Sequence, residues 1–354
     1  MVELNGKKIL VTFLMHLGDL TLTTPFIHAL RKAAPDAHIT MLVDEKLKDV
    51  VLFNPYLDEV VTIDKKGRDN SILSLWACSR HLSKLDFDVL INLHPNERCS
   101  FIDAMTSVKL RTGTTHKIFK WFWDVFTPLD RSMHAADMYL DVLQQLGVQD
   151  LSNNGLEIFP GEEHFLEAEL FWQEQNITDQ DKLIGFNIGS AVPTKRWPPE
   201  RFAEVADIFA AKGYKTVFFG GPMDEEMVAE ATGYMQTRPI IATGHFAIGG
   251  LAAAMRRCCL IITNDSGPMH VAISQKVPIV AMYGPSNPKL YGPYTKDAVI
   301  VTAQPPCQGC ADGMKHSCDD LQCMSRMTVE QVVAAAEKKN QPVVKYIVVD
   351  FTKC

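Results

Sequence analysis

Short β-branched runs alternate with helix-patterned segments along most of the chain, and this alternation restricts the fold more than any other feature. The strand-like runs of the first half are 8–14, 39–43, 60–63, 89–93 and 108–112. The helical segments between and after them are 24–34, 46–53, 71–85 and 133–147. Strands that alternate with helices predict βαβ units and a parallel sheet. Because the strand runs are apolar throughout, we expect helices on both faces of the sheet.

The same alternation restarts near residue 183 and predicts a second unit. Its strand-like runs are 183–187, 216–219, 260–263 and 277–282, and its helical segments include 162–175, 199–212, 224–235, 248–257, 267–274 and 328–337. The sequence therefore predicts an α/β fold with two Rossmann-like, doubly wound parallel-sheet domains. We expect them at 1–165 and 166–335, with a tail at 336–354 that packs back on the first domain. In such pairs, ligands are expected at the carboxyl ends of the strands, in the cleft between the domains.

Composition excludes several classes of protein. The 354 residues are 47% hydrophobic, which is too apolar for a disordered chain. Lys and Arg number 35 against 42 Asp and Glu, a net charge of -7 that disfavours a general nucleic-acid binder. No apolar run approaches the roughly 18 residues that a membrane span needs. The apolar start contains Glu3 and lacks a signal-peptide cleavage site, so we expect a cytoplasmic protein.

The first candidate site is Gly18-Asp19, which follows the first strand and precedes a helix. Open α/β sheets place ligand groups in such loops. Gly18 would let a ligand approach the backbone, and Asp19 could accept a proton from an attacking hydroxyl. The alternative is that Asp19 is the N-cap of the following helix. No complete GxGxxG pattern is present, so a dinucleotide site is not indicated.

The second candidate site is the segment Asn264–His270, which links a strand to a helix. Ser266 and Gly267 would present backbone N–H groups at a helix N-terminus, where anions bind readily. His270 lies about one turn further on and could point back to the same anion. The alternative is capping by Asp265 or Ser266, with His270 packed in the core.

A third segment, Gly189–Pro198, also follows a strand and supplies the positive charges of Lys195 and Arg196. It lacks the Walker pattern, so it is not a P-loop, and a solvated basic turn is the alternative. Glycine also follows two further strands, in the loops 220–226 and 283–288. Together these loops suggest a surface that binds a nucleotide.

Four of the nine cysteines cluster with the spacing C-x2-C-x7-C-x4-C, namely Cys307, Cys310, Cys318 and Cys323. Four thiolates could ligate zinc or an iron–sulfur cluster. The alternatives are reduced thiols or a disulfide that forms on oxidation. We expect a structural element here, outside the reaction.

Several motifs in order resemble those of the bacterial lipopolysaccharide heptosyltransferases, glycosyltransferase family nine, with the II/III-like group as the closest in character. The anchoring segments are 18–25, 194–198, 219–222, 264–270 and 283–285. The resemblance runs nearly end to end, and it implies the GT-B fold.

The resemblance also implies a reaction, the inverting transfer of heptose from ADP-heptose to a sugar hydroxyl of the lipopolysaccharide inner core. Asp19 corresponds to the family's base, and Lys195 offsets the charge of the leaving ADP. The donor-binding residues it implies are Gly18, Ser190, Lys195, Glu225 (or its neighbour Glu226), Asp265, Ser266, Gly267 and His270. The first domain would bind the acceptor and the second the donor.

The expected partners are ADP-heptose and a core acceptor at the cytoplasmic surface of the inner membrane, with no nucleic acid. No carboxylate cluster suggests a metal-bound diphosphate, so no cofactor, and in particular no Mg²⁺, is expected to be required for catalysis. The alternatives are a GT-B transferase or epimerase that uses another nucleotide sugar, and a non-catalytic nucleotide-sugar binding protein.

Overall fold

The computed structural model describes residues 2–303, 318, 321–338 and 345–348. The chain divides into two compact units, Met1–Phe159 and Pro160–Cys354. Each contains one parallel sheet with helices beside it.

The first unit begins with a buried strand, and its elements alternate as the sequence predicts. Its strands are β1 (Lys8–Thr12), β2 (His38–Asp44), β3 (Glu59–Ile63), β4 (Phe87–Asn92), β5 (Val108–Gly113) and β6 (Val125–Phe126). Its helices are α1 (Leu17–Thr21), α2 (Thr24–Ala33), α3 (Ile72–Ser83), α4 (Glu97–Met105) and α5 (Ala135–Gln145), with 3₁₀ helices at Glu45–Val50 and Lys117–Phe122. The central strands β1 and β4 are buried along almost their whole length, as strands covered on both faces must be.

The second unit repeats this alternation. Its strands are β7 (Leu183–Asn187), β8 (Lys215–Phe219), β9 (Ile240–Ile241), β10 (Cys258–Asn264), β11 (Ile279–Met282), β12 (Ala298–Thr302) and β13 (Lys345–Val348). Its helices are α6 (Glu162–Glu174), α7 (Pro199–Ala211), α8 (Glu225–Tyr234), α9 (Ile248–Met255), α10 (Gly267–Ser274), α11 (Pro288–Tyr291), α12 (Gln322–Ser325) and α13 (Val329–Glu337). Two 3₁₀ helices lie at Pro193–Lys195 and Pro222–Asp224.

Both sheets have the same topology. The first has the strand order β3-β2-β1-β4-β5-β6, and the second has β13-β12-β11-β10-β7-β8-β9. Counted from each unit's own first strand, both orders run 3-2-1-4-5-6, and the second adds a seventh strand. This is the doubly wound order, in which the direction of strand addition along the sheet reverses between the first and fourth strands while all strands stay parallel. The switch points therefore lie at the carboxyl ends of β1 and β4 and of β7 and β10, where ligands bind in such sheets.

Helix α6 belongs to the second unit, so the division falls ahead of the boundary expected at 165/166. The helix lies directly on α9, because Gly249 has no side chain there. A Cβ on Gly249 would come within 2.2 Å of the His164 ring. The Phe171 ring on the other end of α6 meets the Phe246 ring, with centroids 5.0 Å apart.

Several elements differ from the sequence prediction. Segment 46–53, expected as an α-helix, forms a 3₁₀ helix at Glu45–Val50 that is capped by the Asp44 side chain. Helix α4 and strand β12 were not anticipated. Of the tail 336–354, the described residues Lys345–Val348 form β13 beside β12 in the second sheet, and packing of the tail on the first domain stays a prediction.

Candidate functional site

Two asparagines join the loops that leave β7 and β10 at the switch point of the second unit. Asn187, the last residue of β7, donates through Nδ2 to the Ser266 hydroxyl at 2.8 Å. Asn264, the last residue of β10, donates to the carbonyl of Ile188 at 2.7 Å and accepts from the Trp197 N–H at 3.0 Å. An amide side chain both donates and accepts, so one residue at each strand end can fix the neighbouring loop.

An ion pair lies between these two loops. The Lys195 Nζ is 2.8 Å from the Asp265 Oδ2, and both side chains are largely buried. The Ser286 hydroxyl donates to the same carboxylate oxygen, and the Ser190 hydroxyl reaches the Asp265 carbonyl at 3.4 Å. The Asp265 carboxylate thus accepts from two donors of the protein, and the ion pair holds the lysine ammonium in place.

The basic turn that carries Lys195 is ordered by its own contacts. Residues Pro193–Lys195 form a 3₁₀ helix. The Arg196 Nε donates to the Ser190 carbonyl at 2.8 Å, and the buried Trp197 ring donates to the Met327 carbonyl at 3.0 Å. The alternative of a solvated basic turn is therefore wrong for this segment.

Helix α10 begins at the same place without a side-chain cap. Its N-cap residue Ser266 has an extended backbone, with φ -156° and ψ 167°, and makes no capping hydrogen bond with its side chain. The Ser266 hydroxyl instead accepts from Asn187. The capping part of the alternative is thus wrong, and without a side-chain cap the first-turn N–H groups can meet other partners. The other part is confirmed, because His270 in the same helix is buried.

The loop after β8 packs closely on the loop after β7. The Asp224 carboxylate accepts from the Gly221 N–H at 2.9 Å. A Cβ on Gly189 would lie 2.1 Å from the Asp224 Oδ1, so any side chain at position 189 would displace the Asp224 carboxylate. The next residue, Glu225, is exposed at the start of α8 and extends its carboxylate over the backbone of Gly244.

In the first unit, Asp19 lies within the first turn of α1, and its side chain is partly buried. The N-cap of this helix is His16, so the alternative that Asp19 is the cap is wrong. Gly18 precedes it in the same turn. A carboxylate in this position is stabilised by the helix dipole.

Lys65 supports the loop that leads to Asp19, and no motif in the sequence pointed to it. Its Nζ donates to the carbonyls of Leu14 at 2.8 Å and Met15 at 3.0 Å. It also pairs with the largely buried Asp44 carboxylate at 3.0 Å. One ammonium group thus joins the ends of β1 and β2.

A buried polar cluster occupies the carboxyl ends of β1 and β4. The Asp103 carboxylate accepts from the Thr12 hydroxyl at 2.8 Å and from the Asn92 amide, and the Cys99 thiol lies 3.8 Å away. Burial raises the pKa of Asp103 to about 7, although its hydrogen bonds act in the opposite direction. The group therefore changes charge near neutral pH.

His94 follows β4 and is also buried. Burial, with smaller contributions from Lys65 and His16, lowers the pKa of its imidazole to about 4. The ring is neutral at neutral pH and lies 5.7 Å from the Phe13 ring. Asp103 and His94 were both missed, because the local sequence has no motif. The one sequence feature that could have indicated this cluster is a polar residue at the end of a buried strand, namely Thr12 in β1 and Asn92 in β4.

The cysteine cluster is only partly within the structure. Cys307 and Cys310 lie outside the described residues, whereas Cys318 is exposed and Cys323 is buried. Among the residues that the structure describes, no group of three or more His, Cys, Asp or Glu side chains is arranged to hold a metal ion.

Two doubly wound units with polar loops at both switch points are the architecture of the GT-B class of glycosyltransferases. The family model for glycosyltransferase family 9 (heptosyltransferase) matches residues 75–318. The chain therefore belongs to glycosyltransferase family 9 and is a glycosyltransferase of the heptosyltransferase type.

Individual proteins agree with this assignment. A glycosyl transferase of family 9 from Veillonella parvula DSM 2008 is 54% identical, with a TM-score of 0.91 over 95% of this chain and 98% of that one. The chain is 24% identical to lipopolysaccharide heptosyltransferase 3 of Escherichia coli K12, over 91% of this chain and 94% of the relative. E. coli ADP-heptose lps heptosyltransferase II has the same fold, with 22% identity, a TM-score of 0.78, and coverage of 94% and 98%.

Across the part of the chain that the structure describes, every helix is too short or too polar to cross a bilayer.

Proposed function

We propose that this enzyme transfers heptose, with inversion, from ADP-heptose to a sugar hydroxyl of the lipopolysaccharide inner core. The observation that carries the proposal is the Lys195–Asp265 pair beside the start of α10, at the switch point of the second unit. The proposed donor is the one for which the E. coli ADP-heptose lps heptosyltransferase II is named.

The second unit is suited to a sugar diphosphate. When the sugar leaves, negative charge grows on the departing ADP. The Lys195 ammonium and the N–H groups at the start of α10 would stabilise that charge, since both are fixed before the reaction. Ser190, Ser266 and Gly267 would contribute hydroxyl and N–H donors, and His270 would adjoin the same anion. Asp265 would act by orienting Lys195, because a carboxylate facing a diphosphate is repelled.

Glu225 is proposed to bind the ribose of the donor. It follows the second strand of its unit, where doubly wound nucleotide-binding domains carry an acidic residue that accepts from a ribose hydroxyl. Its side chain is exposed, and one carboxylate oxygen lies beside Gly244. The acceptor oxygens of this group suit the hydroxyls of a ribose.

Asp19 is proposed as the general base. Inversion requires the acceptor oxygen to attack opposite the leaving ADP, and its proton must leave as the new bond forms. A carboxylate within hydrogen-bond reach of that hydroxyl can take the proton. Gly18 would allow close approach, and Lys65 would hold the loop through its bonds to Leu14 and Met15.

We propose that catalysis needs no divalent metal, because Lys195 and the start of α10 supply the positive charge. Activity of the purified enzyme is then expected to persist in EDTA. Loss of activity that Mg²⁺ alone restores would contradict this. The rescue must be specific to Mg²⁺, because EDTA would also remove a metal from the cysteine cluster.

The cysteine cluster is proposed to be structural. Four thiolates close the coordination of a zinc ion, which leaves no open position for a substrate. Cys323 is buried at α12, beside the core of the second unit, which suits a ligand that ties the segment down. No step of the proposed reaction involves this group.

Donor screening tests the proposal directly. Purified enzyme is incubated with a lipopolysaccharide core acceptor and either ADP-heptose or a series of UDP-sugars, and release of the nucleoside diphosphate is measured. We expect release with ADP-heptose that depends on the acceptor. Turnover with a UDP-sugar alone would favour another GT-B transferase or an epimerase, and binding without turnover would favour a binding protein.

A further inference from the structure

A single exposed turn in the first unit combines large apolar side chains with lysines. It is the 3₁₀ helix Lys117–Phe122, sequence KIFKWF, which lies between β5 and β6 and contains no buried residue. Trp121 is 93% exposed, the highest value for a large hydrophobic side chain among the residues whose exposure the structure describes. Ile118 is 62% exposed and Phe122 is 43% exposed.

This turn is held in place by the residues beside the exposed ones. The Phe119 ring meets the Phe101 ring of α4 edge to face, with centroids 6.2 Å apart. The Trp123 ring is buried at the end of the turn, and its Nε1 donates to the Thr112 carbonyl at 3.1 Å. The outward position of Trp121 is therefore fixed by its two flanking aromatic anchors.

The geometry of a 3₁₀ helix sorts the exposed side chains by type. With three residues per turn, residues three apart lie above one another. Ile118 and Trp121 thus form one ridge, and Lys117 and Lys120 form the next. The Lys120 Nζ lies 4.7 Å from the centre of the Phe126 ring, which is itself partly exposed. The apolar ridge is bordered by two ammonium groups, with no acidic residue within 117–122.

This combination matches an anionic lipid surface better than a protein. Tryptophan favours the boundary between headgroups and acyl chains, and lysines beside it attract anionic headgroups. A stable protein interface needs about 20–30 residues on each side, whereas a bilayer accepts a wedge of two or three side chains. The chain as a whole carries a charge of -7, so attraction to an anionic surface must come from a local basic group such as this.

We propose that the 3₁₀ helix Lys117–Phe122 binds anionic membranes by inserting Ile118 and Trp121 among the headgroups, with Lys117 and Lys120 against the phosphates. The inference deepens the proposed function and rests on it for its purpose, since a lipopolysaccharide core acceptor is carried on a lipid. The binding itself requires only the surface described above.

Vesicle sedimentation tests the binding. The full chain is mixed with extruded vesicles of phosphatidylethanolamine and phosphatidylglycerol, or of phosphatidylcholine alone. We expect binding to the anionic vesicles, and the double substitution Ile118→Ser with Trp121→Ser should weaken it about tenfold or more, since buried apolar area sets interfacial affinity. Lys117→Gln with Lys120→Gln should abolish the preference for anionic vesicles.

A matched control is available on α6. Leu166 and Leu170 are 57% and 50% exposed, yet they lie on a helix rich in glutamate. Leu166→Ser with Leu170→Ser removes a similar apolar surface without nearby lysines, and we expect wild-type binding. Equal loss in this control would overturn the proposal in favour of unspecific apolar adsorption.

Tryptophan emission gives a second readout that does not require loss of binding. Trp121 is the most exposed of the five tryptophans, and we expect it to move into a less polar environment when vesicles are added. Trp121→Phe should still bind, but the blue shift seen for the wild type should vanish. Persistence of the shift in this variant would overturn the assignment of Trp121 as the inserted residue.

The remaining outcomes separate this inference from the proposed function. If the wild-type protein binds neither vesicle type but transfers heptose to a delipidated core oligosaccharide, the proposed membrane binding is wrong and the proposed function stands. Protein that binds vesicles but transfers no heptose to that soluble acceptor would refute the function alone. Light scattering that shows a dimer in the wild type and a monomer in the Ile118→Ser, Trp121→Ser variant would overturn the proposal in favour of a second copy.

Discussion

The two switch points have the same strand order but opposite polar chemistry. At β7 and β10 Lys195 is paired with Asp265, and α10 begins without a side-chain cap. At β1 and β4 the corresponding space is filled by the buried Asp103 and by His94. One strand order can therefore carry different polar chemistry at its switch point, a lysine beside an uncapped helix in the second unit and a buried carboxyl group in the first.

The lysines of the two units differ in the same way. Lys65 directs its ammonium group to the carbonyls of Leu14 and Met15 and to Asp44, so it serves the fold of the first unit. Lys195 pairs with Asp265 and lies beside loops that contain several small residues. This difference supports the proposal that the second unit would stabilise the charge of the leaving group and that the first would accept the proton.

The largest effect is expected from Asp19→Asn. Transfer should fall by about 10²–10⁴-fold, the usual contribution of a general base. The affinity for ADP, measured by calorimetry, should stay close to that of the wild type, because the proposed donor site lies in the second unit. A fall in turnover of less than about tenfold would remove Asp19 from the role of base.

A smaller effect, about 10²-fold in kcat/KM, is expected from Lys195→Ala, since one fixed charge on the leaving group is lost. Affinity for ADP should fall in this variant, in contrast to Asp19→Asn. The matched control is Lys65→Met, because Lys65 has no proposed part in donor binding. The ADP affinity of this variant should be unchanged. If both lysine variants lost ADP affinity equally, the contrast between the two units would be wrong.

Most helices and strands could be predicted from the sequence alone. The alternation of runs predicted both sheets, and the helices Gly267–Ser274 and Pro199–Ala211 were placed within a residue. Helix α4 was missed because it buries Cys99, Ser100 and Asp103 among its apolar residues, so its polar pattern does not repeat with a helical period. Strand β12 was missed although Ala298–Thr302 is a clear apolar run, because it follows a stretch rich in proline and glycine rather than a helical pattern.

The candidate site was predictable where a loop carried its own motif. The segments around Asp265 and Lys195 were found, because a strand end, glycine and a charged residue occur together. The contacts between them were not, since residues 195 and 265 meet only through the sheet order. Asn187 was overlooked for the same reason, and Asn264 was included in its segment without a role, although β4, β7 and β10 all end in asparagine.

A change in stability without a change in chemistry is expected from the double substitution Cys307→Ser with Cys310→Ser. If the cluster holds a metal, the protein should lose it and melt about 5 °C or more lower, because metal binding and folding are coupled. Metal content by mass spectrometry, melting temperature and activity at low temperature check this. A variant that melts like the wild type but cannot transfer heptose would show that the segment serves the reaction.

The last expected effect concerns the switch point of the first unit and depends on pH. Asp103 has a pKa of about 7 in the folded protein, against 3.8 for the ordinary group. Between these values the folded state keeps a proton that the unfolded chain releases. The free energy of unfolding contributed by Asp103 therefore falls as pH rises, by at most about 1.4 kcal/mol per pH unit, and levels off above pH 7.

Asp103→Asn keeps the shape of the side chain but cannot ionise, so it should remove this dependence. Hydrogen exchange of the β1 and β4 amides at about pH 5 and about pH 8, corrected for intrinsic rates, reports the first unit alone. His94 acts in the opposite sense, because its pKa is lowered to about 4, but it is present in both proteins and cancels in their difference. We expect protection in the wild type to decline more steeply with pH than in Asp103→Asn. Parallel declines would mean that the proton is held elsewhere, and that the first switch point is closed by packing alone.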